Sequence, residues 1–184
     1  MFFLRKFNLE RLPIAMSGVR MGERALQIGS DDSALAGAIA AKVGLSGHAA
    51  MAVADARGAA TAQRAAATAG VLVDVQVAPL DSLPFDADGF DLIVLREGVS
   101  VPSLDSTSGS GMLRECHRVL RTGGRILIVE GSPRRGLAGF FKASPLNPDA
   151  NRALAALGAA GFRVARVLAE REGYRFTEGL KSQP

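Results

Sequence analysis

Five short apolar runs alternate with helix-forming stretches along this chain, and that alternation leaves few architectures open. Arg24-Ala25-Leu26-Gln27-Ile28 reads as a strand ending at Gly29. Residues 34–43 follow as a helix, entered through Asp31, Asp32 or Ser33 and stopped by Gly44. A second strand spans 49–54, an alanine-rich helix 57–69 closes at Gly70, and a valine-rich third strand covers 71–77. Phe90 to Leu95 is apolar except at Asp91, the pattern of a strand buried on both faces. A helix over 111–121, stopped by Gly123-Gly124, leads into a fifth strand, 125–129. Asn147-Pro148 supplies a cap and a first-turn proline for a last helix that stops near Gly161. Two runs, 163–169 and 174–180, joined across Arg171-Glu172-Gly173, read as a terminal antiparallel hairpin. Strands alternating with helices pair in parallel through right-handed crossovers, and the hairpin adds an antiparallel strand to the same sheet.

Composition bounds the rest. A length of 184 residues fits one domain, here expected over 1–184 with 1–20 as a cap segment on a core of 21–184. Phe3, Leu4, Phe7, Leu9, Leu12 and Ile14 are expected to form a helical cap over the sheet edge or the ligand crevice, with a membrane-surface helix as the alternative. The single cysteine, Cys116, excludes an intramolecular disulfide and suits a cytoplasmic setting. The apolar start is broken by Arg5 and Lys6, unlike a secretory signal, and no run of about 18 apolar residues predicts a transmembrane helix. Net charge is +4, divided as −2 over 1–91 and +6 over 92–184. The basic residues are dispersed and lack interleaved aromatics, so they read as solvated surface rather than a nucleic-acid stripe. His48, His117 and Cys116 lack metal-ligand spacing, so no metal site is expected, and His117 reads as a surface or packing residue. Neither a P-loop nor a nucleophile motif is present.

Two segments carry a family resemblance. Met112-Leu113-Arg114-Glu115-Cys116-His117-Arg118-Val119-Leu120-Arg121-Thr122-Gly123-Gly124-Arg125-Ile126-Leu127-Ile128-Val129-Glu130 resembles the helix, "RVL(K/R)PGG" turn and fifth strand of class I S-adenosylmethionine-dependent methyltransferases, with Thr122 in place of proline. Leu83-Pro84-Phe85, followed by Phe90-Asp91-Leu92-Ile93-Val94, is similar to that family's passage into strand four. The branch it resembles includes the ubiquinone- and menaquinone-biosynthesis enzymes, over roughly residues 20 to 180. The resemblance implies a three-layer, Rossmann-like sheet of seven strands, order 3-2-1-4-5-7-6, with strand 7 antiparallel.

The resemblance also implies a cofactor, S-adenosylmethionine, leaving as S-adenosylhomocysteine, and here the match thins. The family's acid and glycine-rich loop read as Gln27-Ile28-Gly29-Ser30-Asp31-Asp32-Ser33. The ribose-binding acid aligns with Val53, followed by Ala54 and then Asp55 as a substitute. The adenine-binding position falls on Pro79, followed by Leu80, Asp81 and Ser82. Arg96 and Glu97 end strand four, and strand ends line the crevice of doubly wound sheets. Gly29, Ser30, Asp31, Val53, Ala54, Asp55, Pro79, Leu80, Asp81, Ser82, Arg96 and Glu97 are therefore the candidate cofactor-binding residues. Asp32, Ser33 and Asp55 read equally as helix caps. A dinucleotide's pyrophosphate would meet Asp31 and Asp32 as like charges, at about 4 kcal/mol per pair at 4 Å. S-adenosylmethionine lacks phosphate and carries a sulfonium and an ammonium, while its own carboxylate would be repelled, so the loop disfavours it less than it disfavours a dinucleotide.

Three functions follow in order: methyl transfer to a small-molecule acceptor, a binding or scaffold module that has lost its cofactor, and a nicotinamide-dependent oxidoreductase. A homodimer or a protein partner would complete an open acceptor site. Methyl transfer needs alignment more than acid–base groups, so the lack of a catalytic motif does not count against it.

Overall fold

The Phe90–Leu95 run becomes the central strand of the molecule, and every residue from Leu92 to Arg96 is buried. The computed structural model describes residues 12–131, 149 and 151–183. Among these, strands β1 (Arg24–Ile28), β2 (His48–Val53), β3 (Asp74–Val77), β4 (Phe90–Arg96), β5 (Leu120–Gly131), β6 (Val164–Arg171) and β7 (Tyr174–Leu180) form one sheet. Its order is β3-β2-β1-β4-β5-β7-β6. The first five strands pair in parallel, and β7 runs antiparallel between β5 and β6. Glu172 and Gly173, both at positive φ, make the tight turn that joins the hairpin.

Helices cover both faces. On one, α4 (Thr107–Val119) and α5 (Arg152–Ala159) bury Met112, Leu113, Cys116 and Leu157 against Leu26, Ile28, Ile93 and Ile126. On the other, α1 (Leu12–Ser17) and α2 (Ser33–Val43) pack on Leu92, Val94, Leu127 and Phe176. Beside them, α3 (Ala56–Ala69) lies on Met51 and Val53 through Ala59 and Ala62, where small side chains let helix and sheet approach closely. No helix among the described residues is long and apolar enough to cross a membrane.

Several boundaries differ from expectation. The third strand begins at Asp74 rather than 71, because it is the sheet edge and has only β2 to pair with. Helix α4 starts at Thr107, capped by the Ser106 hydroxyl accepting from the Gly109 N–H at 2.9 Å. It ends at Val119, so Gly123-Gly124 does not stop it. The chain passes straight into β5, whose pairing with β4 jumps from Phe90–Leu120 to Leu92–Arg125. The glycine pair is a bulge in that strand, tied down by Gly123 N–H to Lys181 O (2.7 Å) and Lys181 N–H to Gly124 O (3.0 Å). Of the expected N-terminal cap, Leu12 and Ile14 form α1, which lies on the sheet face beside α2 rather than at the edge or the crevice. Phe3, Leu4, Phe7 and Leu9 lie outside the described residues, as do Asn147 and Pro148.

The two family-like segments prove to be one device. Glu115 on α4 accepts the Leu83 N–H at 2.7 Å. Arg118 donates to Phe85 O (2.9 Å) and Leu83 O (3.0 Å) while pairing with Glu115 at 2.8 Å. The Arg118 bond and ion pair outweigh partial burial and hold the Glu115 carboxyl below its ordinary range. A loop that cannot satisfy its own backbone is thus stapled to the helix.

Candidate functional site

The sheet order reverses between β1 and β4, so the crevice outside their carboxyl ends is the place for a ligand. Two loops meet there. The first is Gly29–Asp32, held by the Gly29 N–H to Ala52 O at 2.9 Å. Gln27, fully buried below it, donates from Nε2 to Asp32 O at 2.9 Å. A carboxylate at position 27 has no proton to give that carbonyl, so the glutamine matches this loop. Its Oε1 is buried without a hydrogen-bond partner.

The second loop follows β4 and lies directly on the first. Val99 N–H (3.1 Å) and Ser100 N–H (2.9 Å) both donate to the Asp31 carboxylate, and the Ser100 hydroxyl also bonds it. Ser30 N–H donates to Ser100 Oγ at 2.8 Å. Gly29 has φ +84, and a Cβ there would stand 2.5 Å from Val101 Cγ1. Glycine is therefore required at 29 by its own backbone and by the loop above it. Asp32, not Asp31, caps α2, accepting from the Leu35 N–H at 3.2 Å.

Beside this contact lies a cavity of about 390 Å³, within the about 300–1,000 Å³ common for small-molecule sites. Ala54, Leu80 and Asp81 line one side, and Ser100, Val101 and Ser108 the other. Asp81 also borders a smaller depression of about 270 Å³ with Arg114 and Glu115. A larger cavity, about 590 Å³, lies at the amino ends of β2 and β3, lined by Leu45, Ala49, Val71 and Leu72. Position outweighs size here, because doubly wound sheets bind ligands at the opposite ends of their strands.

The candidate residues divide accordingly. Gly29, Ser30 and Asp31 form the first loop, and Ala54, Leu80 and Asp81 line the cavity. Asp55 caps α3 through the Gly58 N–H at 2.7 Å. Ser30 Oγ and Asp55 Oδ1 both face Gly58, so the ends of β1 and β2 come together there. Pro79 and Ser82 are exposed and close a turn by Ser82 N–H to Pro79 O at 3.0 Å. Val53 points the other way, into the α2–α3 layer with Ala36 and Ala59. Arg96 is buried, donating to Val129 O at 2.9 Å with its guanidinium 5.6 Å from the Tyr174 ring centroid.

Glu97 joins a buried ionic cluster at the carboxyl ends of β4 and β5. Arg152, the first residue of α5, pairs with Glu97 and with Glu130 at 3.3 Å, and Arg175 stands 3.7 Å from Glu130. Burial, then the nearby Glu97 charge, raise the Glu130 carboxyl above its ordinary range despite both arginines. Sequence reading missed this cluster and the Val99–Pro102 wall. The position of Val99–Pro102 just after a buried strand was the available signal. Nothing local marks Arg152 or Arg175 as partners of Glu130.

The family model described as a methyltransferase domain matches residues 26–128, more than half of the chain. The ubiquinone/menaquinone biosynthesis C-methyltransferase of Idiomarina loihiensis is 30% identical over 135 residues, 70% of this chain and 52% of that protein. The chain spans between a quarter and about half of the length of the curated relatives it matches. Among solved structures, a SAM-dependent methyltransferase from Aquifex aeolicus has TM-score 0.72 and 16% identity, with 95% of this chain and 90% of that one covered. A putative S-adenosyl-L-methionine-dependent methyltransferase from Methanococcus maripaludis has TM-score 0.73 and 18% identity, covering 97% and 85%. At these identities the structural likeness is one of fold.

Proposed function

The chain belongs to the class I S-adenosylmethionine-dependent methyltransferase family, and on that footing we propose that it transfers a methyl group to a small-molecule acceptor. The cavity between Ala54, Leu80, Asp81 and the Ser100–Val101 wall carries this reading, because it lies at the switch point and has room for a nucleoside. The bound cofactor would supply an electrophilic sulfonium methyl. The chain's part is to hold and orient. Leu80 and Ala54 offer apolar surface for a base, and Asp81 and Asp55 offer carboxylate acceptors for amino and hydroxyl groups. Gly29 and Ser30 would approach the amino-acid end of the cofactor. That end does not fit as the two loops stand, since Val101 and Ser100, the latter held by Asp31, fill the space above Gly29. Val53 and Arg96 have no part in this reading.

The contact between the loops favours a second reading, a module that keeps the fold and binds without cofactor. Calorimetry and thermal melting with S-adenosylmethionine and S-adenosylhomocysteine separate the two. Under the first reading, ligand at 100 times its dissociation constant stabilises the protein by about 2.7 kcal/mol. The absence of heat and of any melting shift at millimolar ligand leaves the second.

A further inference from the structure

We propose that Asp31 is a built-in competitor of the cofactor's amino-acid end, latching the loop after β4 across the crevice until ligand displaces it. The inference rests on the reading that this crevice takes S-adenosylmethionine. Its geometric basis is that the Asp31 carboxylate serves no purpose within its own element. Asp32 caps α2 one residue later, so the helix has no need of Asp31.

All the hydrogen bonds described for Asp31 come instead from 68 and 69 residues away, from Val99 N–H, Ser100 N–H and the Ser100 hydroxyl. Gly98 lies against the same contact, since a Cβ there would push the Asp31 side chain aside. Two consecutive backbone N–H groups and a hydroxyl converging on one carboxylate make a small anion site. The amino-acid end of the cofactor carries a carboxylate of the same chemistry. An internal carboxylate in that site withholds its donors, sets a like charge beside an incoming one, and draws Val101 down onto Gly29.

The neighbouring cavity at Ala54, Leu80 and Asp81 stays open while the latch is shut. A nucleoside without an amino-acid tail should therefore enter without opening it. The device makes affinity depend on the tail, and it lowers the apparent affinity by the fraction of molecules that are latched.

Asp31 is exposed, so Asp31→Ala removes the latch without touching the core. Calorimetry of parent and D31A with S-adenosylhomocysteine and with adenosine tests the idea. The expected result is at least tenfold tighter S-adenosylhomocysteine binding by D31A, with a smaller change in adenosine affinity. Amide exchange at Val99 and Ser100 should also accelerate in D31A, an effect independent of any ligand. A parent that binds S-adenosylhomocysteine weakly beside a D31A variant that binds it tightly supports the latch most directly. Equal or weaker binding by D31A overturns the latch and leaves the proposed function standing. If neither protein binds S-adenosylhomocysteine, both fall.

Discussion

Cys116 sits on the inner face of α4 with no exposed surface, and burial, then the neighbouring Glu115 charge, push its thiol up to about 12. Reactivity belongs to the thiolate, so the residue is chemically silent while the fold holds. Iodoacetamide at pH 8 should leave the native protein unlabelled and label it fully in denaturant; native labelling would mean that α4 opens readily. His117, next along the helix, stacks edge-on against Phe162 with ring centroids 5.0 Å apart. Burial, then the Lys181 charge, lower its imidazole below the usual 6.5. With the folded value depressed, the unfolded chain takes up the proton first. Stability is therefore complete above about 6.5 and falls as the pH drops from there toward the folded value. His117→Phe should flatten that part of a denaturant-midpoint profile between pH 7 and 5, and an unchanged slope would remove His117 as its cause.

At the scale of elements, charged side chains fix how helices meet the sheet. Helix α5 is only Arg152–Ala159, too short to be stable alone, and it seats Ala153 and Leu157 in the core. Its first residue, with a side chain 9% exposed, stands between Glu97 and Glu130. Removing one partner of a buried ionic cluster leaves the others uncompensated, typically at about 3–5 kcal/mol. Arg152→Ala should lose stability of that order in urea, with α5 amides exchanging faster than those of α4. A loss below about 1 kcal/mol would mean that water already screens the cluster. The Leu83–Phe85 loop obeys the same logic through Glu115 and Arg118, which is why two segments some 30 residues apart read together as a signature.

Across the whole molecule, the terminal hairpin is structural rather than an appendage. Strand β7 threads between β5 and β6, pairing Arg125 through Gly131 with Leu180 through Tyr174. Tyr174 and Phe176 are buried with Leu127, Val129 and α2 residues. Without the hairpin, β5 becomes an open, apolar edge. We therefore expect residues 1–184 to unfold in one transition, and a chain ending at residue 163 to show no cooperative transition and to aggregate. A truncated chain with a sharp urea transition would show that the first five strands fold independently.

Strand and helix order, the cap at Asp55, and the reversed last strand were all legible along the chain, because periodicity and turn chemistry are local, whereas the entry to α2 was narrowed only to Asp31, Asp32 or Ser33. The bulge at Gly123-Gly124 was not, since two glycines stop a helix or kink a strand equally well until Lys181 supplies partners from the far end. Of the residues that the family resemblance pointed to, Ala54, just past the end of β2, and Leu80 and Asp81, in the loop after β3, line a cavity. Whether the crevice stands open was beyond one-dimensional reading. An aspartate in a loop looks the same whether it faces water or holds another loop, and only the tertiary fold brings Val99 and Ser100 to Asp31.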